Sequence, residues 1–575
     1  MIFILILMAG GAGMASAQRN PRYNLIKKNI SHFNPLNENK EHILVSSTLP
    51  TVVSPLITDK WHQESDPYLR FTPTDSTGTH CVVGCVALAL GEVMRYHQWP
   101  TDAYDWKNML DEYPEGQFTE AEGDAVGHLL ADCGKAVNTD YGIVASSAEI
   151  VSQPIALVDT FGYDIATQLH YRDFYKRNEW LDMIRNELAS GRPVLLCAQS
   201  TELSHAFLCD GYNDRGQFHI LWGNPTKEED GWYDFDLLTP NQPKWHDWKS
   251  PEGGLNLLQS VCTGVQPPRP FSKENYVYAF SHIDGFLDDG SDGASGNGNG
   301  YLNVVTHNLA NIGRNVHNGK VGLALTYKGD IVSILKYYDH DFDLEELTDT
   351  SYTDTMRVEV ASPIEALGEY HIVPVFEEND SWVEARTSVG TPNYLSIDMT
   401  ADGFSLKDVK AASQSLKILD LQFPDTLVKG TKPEFSVTIQ NQGDTEYNGR
   451  IYFALIEVVR PTYNKVFNIQ GLYLSPGETT TRSFSRTTFY GIPDGNYYLR
   501  IFTDMDLFTD SLIMHLKPKE RIISVVPTGI EELRADPEDE SGSDSATTYD
   551  LSGRIIHSKD TSPQIFIRNR KKYVR

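Results

Sequence analysis

Residues 84–100 read GCVALALGEVMRYHQWP, and the interpretation of the rest of the chain starts from this stretch. Its apolar residues recur at helical spacing, which predicts a helix anchored in a hydrophobic core. The residues of the inward face are Val86, Leu90, Val93 and His97. Cys85 opens the helix directly after a glycine, and a helix N-terminus stabilises a thiolate. Cys85 is therefore a candidate nucleophile, although periodicity alone favours a buried structural cysteine.

A candidate base for this thiol is His205, in the run Ser204-His205-Ala206-Phe207. It precedes a short apolar run that predicts a buried strand, and a histidine at the mouth of such a strand can face a cleft. The alternative is a structural histidine, because the chain has 17 histidines and a cysteine with a histidine is a weak signal. Cys81 is a rival nucleophile, but it lacks the preceding glycine and the helix start.

The length and the net charge of the chain limit the class of protein to which it can belong. A chain of 575 residues is too long for one core and predicts three or four domains. The net charge of −29 argues against nucleic acid as a partner, since phosphates need a basic surface. All six cysteines lie between positions 81 and 262, so one or two disulfides in the first domain remain open.

The N-terminus predicts export. Residues 1–17 form a short apolar run followed by Ala15-Ser16-Ala17, which is typical of a signal peptide. No Lys or Arg precedes the run, so the charged region that opens a signal peptide is missing. An N-terminal membrane anchor is the alternative. Residues 18–44 are polar and predict a short leader. We expect a secreted or cell-surface protein whose mature chain does not span the membrane.

The remaining chain predicts one α+β domain followed by β-domains. Residues 45–266 mix helical patterns with strand-like runs. Residues 267–300 are rich in Pro, Gly and Asp and predict a linker; a calcium loop is the alternative, but the spacing fits no EF-hand. Residues 301–400 and 414–517 alternate polar and apolar residues between turns, which predicts two immunoglobulin-like β-sandwiches. Residues 525–575 predict a spacer and a small β tail.

Six segments follow in order through the first domain: Trp61–Tyr68, Gly84–Pro100, Asp140–Ala148, Pro193–Gly211, Phe218–Gly223 and Asp230–Trp232. In this order and spacing they resemble the streptopain family of papain-like cysteine peptidases, peptidase family C10. The resemblance implies a papain-like fold for this domain and protein or peptide substrates. No metal-ligand spacing appears in the sequence, so we expect neither a metal ion nor a cofactor.

The resemblance also implies roles for four residues. Cys85 is the nucleophile and His205 the general base, as a thiolate–imidazolium pair. Gln63 donates to the oxyanion together with the Cys85 main-chain N–H, and Trp222 covers the histidine and keeps water out.

The sequence departs from the family at Leu221, where the family has the asparagine that orients the histidine. A leucine side chain cannot accept a hydrogen bond, so the orienting contact is either lost or supplied by another group. Asn224 is a candidate substitute. The segment that follows Trp222, residues 224–230, also differs from the family, so substrate specificity is not transferred.

Residues 546–575 resemble the C-terminal sorting domain of Bacteroidota proteins exported by the type IX secretion system, which implies that machinery as a partner. An ordinary terminal β-hairpin with a basic end is the alternative. Together these patterns predict a secreted cysteine endopeptidase acting through an acyl-enzyme. The alternative is a catalytically impaired homologue that binds proteins or glycans at the cell surface, which Leu221 favours.

Overall fold

A computed structural model describes residues 49–574 of the chain, with gaps. It divides into two compact units, residues 1–527 and 528–575. Among the described residues, no helix has the length and apolar character that crossing a bilayer requires. The residues outside the description are 200–203, 224–229, 237, 239–254, 288–299, 315–316, 318, 340–351, 361–366, 390, 401–402, 408–414, 432, 444–445, 461–463, 486–491, 507–510, 527–548, 551–564 and 569–570, together with 1–48 and 575.

The first domain, residues 49–266, is α+β, as the sequence predicts. Its helices are α1 Cys85–His97, α2 Glu120–Ala136, α3 Ser152–Ile155 and α4 Arg177–Ala189. One antiparallel sheet has the order β1-β6-β2-β3-β4-β5. Its strands are β1 Gln168–Tyr171, β2 Val194–Gln199, β3 Ser204–Tyr212, β4 Phe218–Leu221, β5 Gly231–Tyr233 and β6 Leu257–Thr263.

Helix α1 has the bounds that its periodicity predicts. It begins at Cys85 and ends where Gln98 adopts a left-handed conformation, with φ of 48°. Val86, Leu90 and Val93 are buried, and the helix packs against α2 and β3. The buried face of α1 therefore fixes Cys85 relative to the strand that carries His205.

The second domain, which we call the first sandwich, has two sheets that share one hydrophobic core. One sheet has the order β11-β10-β13-β15-β16 with β14 on β13, and the other has the order β12-β9-β7 with β8 on β9. The strands are β7 Tyr278–Ala279, β8 His282–Phe286, β9 Tyr301–Asn311, β10 Val321–Tyr327, β11 Asp330–Tyr337, β12 Tyr352–Glu359, β13 Gly368–Glu378, β14 Ser381–Glu384, β15 Leu395–Thr400 and β16 Gly403–Lys407.

The linker predicted for residues 267–300 is wrong in its first half. Strands β7 and β8 lie within it, because Tyr278, Phe280 and Ile283 are buried in the sandwich core. The Asp- and Gly-rich run that suggested a linker or a calcium loop, residues 288–299, lies outside the described residues. The first sandwich therefore begins well before residue 301.

The third domain, the second sandwich, also has two sheets around one core, of orders β17-β19-β22 and β18-β24-β23-β20-β21. Its last strand runs to Val526, past the predicted end at 517. The strands are β17 Leu416–Gln422, β18 Thr426–Val428, β19 Glu434–Asn441, β20 Tyr447–Glu457, β21 Asn464–Leu474, β22 Thr479–Ser485, β23 Gly495–Asp506 and β24 Ser511–Val526. The immunoglobulin-like assignment of both sandwiches stays a prediction.

The unit formed by residues 528–575 contains a three-stranded sheet of order β25-β26-β27. The two last strands form an antiparallel hairpin. Their bounds are β25 Tyr549–Asp550, β26 Ile565–Arg568 and β27 Lys571–Val574. The sheet agrees with the predicted small β tail, whereas the role of the tail in sorting stays a prediction.

One turn of the first domain contacts both sandwiches. This junction turn, Arg172–Phe174, follows strand β1 directly. The Asp173 carboxylate accepts a hydrogen bond of 2.8 Å from Arg450 of the second sandwich. The Asp173 carbonyl accepts one of 2.8 Å from the main-chain N–H of Val389, which follows strand β14 of the first sandwich. The three domains are therefore joined by polar contacts at this turn as well as by the main chain that connects them.

Candidate active site

The position of Cys85 depends on the glycine before it. Gly84 has a φ of 90°, in the region that favours glycine, and this turn lets α1 begin at Cys85. A Cβ at position 84 would lie 3.2 Å from the Cβ of Ser146. The Cys85 Sγ accepts a hydrogen bond from the main-chain N–H of Ala206, at 3.4 Å. The thiol is therefore held between the start of α1 and strand β3.

His205, the residue before Ala206 on β3, is buried, with 4% of its surface exposed. Its Nε2 lies 2.8 Å from the main-chain carbonyl oxygen of Trp222. A carbonyl oxygen only accepts, so Nε2 carries the hydrogen and donates it. In the neutral imidazole, Nδ1 then holds the basic lone pair. The hydrogen bond thus sets both the tautomer and the orientation of the ring.

The orienting contact therefore comes from a main-chain group. Leu221 is buried in β4 and pairs with Leu208 of β3, so its side chain belongs to the core. The carbonyl one residue later takes the place that the resemblance gives to an asparagine side chain. The other candidate, Asn224, lies outside the described residues.

Two further contacts fix Trp222. Its main-chain N–H donates to Oδ1 of Asp230 at 2.7 Å, which anchors the main chain directly before the carbonyl that faces His205. Its indole is fully buried and packs on Phe207, with ring centroids 4.6 Å apart. The rings of Trp222 and His205 are nearly parallel, at 23° and 6.4 Å. The indole therefore lies beside the histidine ring.

Gln63 lies next to the segment that leads into α1. Its carbonyl accepts a 3.0 Å hydrogen bond from the main-chain N–H of Val83, two residues before Cys85. On another side of the same segment, the Ser146 hydroxyl donates to the carbonyl of Val82 at 2.7 Å. The segments around Gln63 and Ser146, far apart in sequence, are thereby tied to the approach to the thiol.

Burial acts on both members of the cysteine–histidine pair. Burial lowers the pKa of His205 to about 4, against the opposing effect of its hydrogen bond to Trp222. Burial also raises the pKa of the Cys85 thiol, while the N–H groups of Ala206 and Val86 act in the opposite direction. Both directions favour the uncharged thiol and imidazole over the expected thiolate–imidazolium pair, unless each charge is balanced by the other.

Cys197 is a neighbour that the sequence analysis did not single out. It lies on β2 directly opposite Ala206, with its Sγ 3.6 Å from the hydroxyl of Ser204. Burial raises the pKa of its thiol to about 12, and Cys85 contributes to that rise. The strand pairing brings the two thiols into one region, a relationship that only the register of β2 and β3 reveals.

The rival nucleophile, Cys81, has a different environment. It is buried, and its carbonyl accepts a hydrogen bond of 2.6 Å from the Thr72 hydroxyl. All six cysteines are described, and each is a free thiol. The structure therefore contains none of the disulfides that the sequence left open.

The chain is similar to known cysteine proteases. Residues 61–233 match the model of the Peptidase C10 family. The thiol protease/hemagglutinin PrtT of Porphyromonas gingivalis is 25% identical over 521 residues, which are 80% of this chain and 55% of that protein. Streptopain of Streptococcus pyogenes is 26% identical over 302 residues, 45% of this chain and 75% of that protein.

A solved structure is also similar. Active wild-type interpain A, a cysteine protease of Prevotella intermedia, is 29% identical, with a TM-score of 0.34 over 38% of this chain and 97% of that chain. The present chain spans about half the length of its Porphyromonas relative. The match therefore assigns residues 61–233, which carry Cys85 and His205, to the peptidase C10 family of cysteine peptidases.

Proposed function

We propose that this chain is a cysteine endopeptidase that hydrolyses peptide bonds of proteins. The observation that carries the proposal is the hydrogen bond from His205 Nε2 to the Trp222 carbonyl. It leaves Nδ1 as the basic nitrogen of a buried imidazole on the strand that also contacts the Cys85 thiol. A thiol nucleophile with an oriented base is the minimum that acyl transfer requires.

The proposed reaction begins when His205 Nδ1 takes the proton of the Cys85 thiol as Sγ attacks the scissile carbonyl carbon. The Gln63 side-chain amide and the Cys85 main-chain N–H donate to the oxyanion. The imidazolium then protonates the leaving amine, which produces a thioester. Water hydrolyses the thioester with His205 again acting as base, and the thiol is regenerated.

The proposed transfer suits groups whose charges are disfavoured by burial. The thiol and the imidazole are uncharged before the reaction. Charge develops only as Sγ attacks the substrate, when the imidazole gains a proton and the carbonyl oxygen becomes the oxyanion. Trp222 contributes by keeping water away from one side of the imidazole. Because the Trp222 carbonyl orients the ring, Leu221 no longer favours the impaired homologue over the active enzyme.

The test is casein degradation by the full chain under reducing conditions. We expect Cys85→Ala and His205→Ala to lower the rate at least about 10³-fold, as removal of a nucleophile or base does. Cys81→Ala is the matched control, since it removes a buried thiol four residues away, and we expect it to keep activity. Equal background rates for wild type and Cys85→Ala would support the binding module instead.

We also propose that the chain acts outside the cell or at its surface. The support is the signal-like run of residues 1–17 and the resemblance of residues 546–575 to a sorting domain. Deleting 546–575 from the full chain in a type IX-competent host should keep the protein inside the cell. Unchanged export of the deleted form would remove the sorting role and leave the peptidase proposal standing.

A further inference from the structure

Three potential metal ligands meet on one face of the first sandwich. His282 and Asp284 lie on β8, and His307 lies on β9. The antiparallel register pairs His282 directly with His307. Side chains two residues apart on a strand share a face, so Asp284 lies on the same side as His282. Ile283 and Thr306, which alternate with these residues, are buried in the sandwich.

The side-chain geometry is convergent. Asp284 Oδ2 lies 3.0 Å from His307 Nε2 and 3.3 Å from His282 Nε2. The two imidazole rings are stacked, with centroids 3.8 Å apart and planes 8° apart. One ligand atom from each residue lies within 4.8 Å of the others. Two imidazole nitrogens therefore share a single carboxylate oxygen.

These distances suit ligands of one metal ion. Zinc binds imidazole nitrogen and carboxylate oxygen at about 2.0–2.2 Å. Two ligand atoms at that distance are about 3.0 Å apart at a right angle and about 3.4 Å apart at a tetrahedral angle. The observed separations of 3.0 Å and 3.3 Å fall in this interval. Rotation of the two imidazole rings out of their stacked arrangement would direct both Nε2 lone pairs at a common centre.

We propose that His282, Asp284 and His307 bind a Zn²⁺ ion, with water completing its coordination. Two imidazoles with one carboxylate suit zinc and similar transition metals, whereas Ca²⁺ and Mg²⁺ take oxygen ligands. The sequence predicts no metal site, because no ligand spacing typical of one appears and because His282 and Asp284 fall in the segment predicted to be a linker.

The main chain beneath the site is held in place by polar contacts. The His307 carbonyl accepts two hydrogen bonds from Ser281, from its N–H at 2.8 Å and its hydroxyl at 2.9 Å. The Asn308 side-chain amide donates to the same hydroxyl at 2.8 Å. These contacts set the relative position of β8 and β9, so the main chain that carries the ligands is in place before an ion arrives.

The ion would join β8 to β9 at the surface. His282 and Asp284 are exposed and His307 is half-buried, so the ion stays in contact with water. Strand β8 pairs with β9 and contributes Ile283 to the shared core. A metal bond between the two strands would stabilise the folded form of the sandwich, since ligands that bind only the folded state raise its stability.

The test uses the full chain carrying Cys85→Ala, which removes the active-site thiol as a competing ligand. After treatment with a chelator, ZnCl₂ is titrated in by calorimetry at neutral pH. We expect one site that Asp284→Asn and His307→Ala each weaken at least about tenfold, the scale on which losing a supporting residue already matters. Zinc should also raise the melting temperature of the parent more than that of either variant.

His371→Ala is the matched control. His371 lies on the same sandwich, 3.4 Å from the single carboxylate of Glu369, and its ring stacks on Tyr394. We expect it to bind zinc as the parent does. Circular dichroism of each variant confirms folding, and cobalt spectra of the parent give an independent readout of the ligand set. Zinc binding that is absent from the parent, or unchanged in Asp284→Asn and His307→Ala, would overturn the proposal.

Discussion

The side chain of His205 and the main chain of Trp222 are joined by a hydrogen bond of 2.8 Å between Nε2 and the carbonyl oxygen. A main-chain acceptor is present whatever side chain the residue carries. The main-chain N–H of the same residue, Trp222, donates to the Asp230 carboxylate. The orientation of the histidine is therefore independent of the side chain at position 221.

Leu221→Asn, which introduces the residue of the family pattern, should not improve catalysis. His205 Nε2 already donates, and the new amide would enter a core position that is 6% exposed. We expect kcat within about twofold of wild type and a loss of about 1–3 kcal/mol in the free energy of unfolding. Peptide hydrolysis and urea unfolding measure the two effects.

Leu221→Met is the control for this change, because it keeps the volume and apolar character and should cost less than about 1.5 kcal/mol. A tenfold rise in kcat for Leu221→Asn would show that the carbonyl of Trp222 is an insufficient orienter.

Gly84→Ala should impair both folding and activity. The residue has a φ of 90°, and its new Cβ would lie 3.2 Å from Ser146. A left-handed conformation costs an L-residue about 1–2 kcal/mol, and relief of the contact would move the start of α1 with its thiol. We expect a loss of at least about 1 kcal/mol in stability together with slower alkylation of Cys85 by iodoacetamide.

Gly78→Ala separates the two causes, since Gly78 has a φ of 83° but no atom within 4 Å of the added Cβ. It should carry the conformational cost alone and leave the alkylation rate of Cys85 unchanged. Equal alkylation rates in the two variants would mean that the contact with Ser146 does not position the thiol.

The stability of the chain should fall with acid between pH 6.5 and 4. Burial lowers the pKa of His170 from 6.5 to about 3, with Arg386 acting in the same direction. In that interval the unfolded state binds a proton that the folded state excludes, so stability rises with pH and is lost as pH falls. One such group contributes a slope of about 1.4 kcal/mol per pH unit.

His170→Gln removes this titration, so its unfolding free energy, measured in urea from pH 7 to pH 4, should fall less steeply than that of wild type. His128→Gln alters an exposed histidine and serves as the control. If the unfolding free energy of His170→Gln fell with pH as steeply as that of wild type, the pH dependence would not come from His170.

Arg450→Met should destabilise the contact between the first domain and the second sandwich. Arg450 is buried and pairs with Asp173 at 2.8 Å. Removing one partner of a buried pair leaves a charge without its counterion, at a cost of about 3–5 kcal/mol. Thermal unfolding followed by calorimetry should show the loss.

Lys407→Met is the control at a surface pair, in the first sandwich. The Lys407 side chain is 51% exposed and that of its partner Glu369 is 44% exposed, so its loss should lower the melting temperature far less than the loss of Arg450 does. Similar melting temperatures for the two variants would show that the interdomain pair contributes no more than a surface pair.

The spacing of apolar residues in the sequence predicts the helices and strands that bury one face in a core. Helix α1 could be predicted because its apolar spacing is unbroken between Gly84 and the left-handed Gln98. The hydrogen bond between His205 and the Trp222 carbonyl could not be predicted from the sequence. A peptide group is the same at every position, and its direction depends on the path of the chain. The pairing of His282 with His307 was equally hidden, since strand register depends on which residues the whole sheet buries.

Both sandwiches hold the first domain at the same four residues, 172–175. Arg172 lies over the ring of Tyr473 at 3.7 Å, from the second sandwich. Arg386 of the first sandwich covers the Tyr175 ring at 4.1 Å and donates to the Phe174 carbonyl at 3.1 Å. A recombination event that exchanged either sandwich for an unrelated module would remove a cation–π contact from this turn. The three domains are therefore expected to be inherited together, as one evolutionary unit rather than as interchangeable parts.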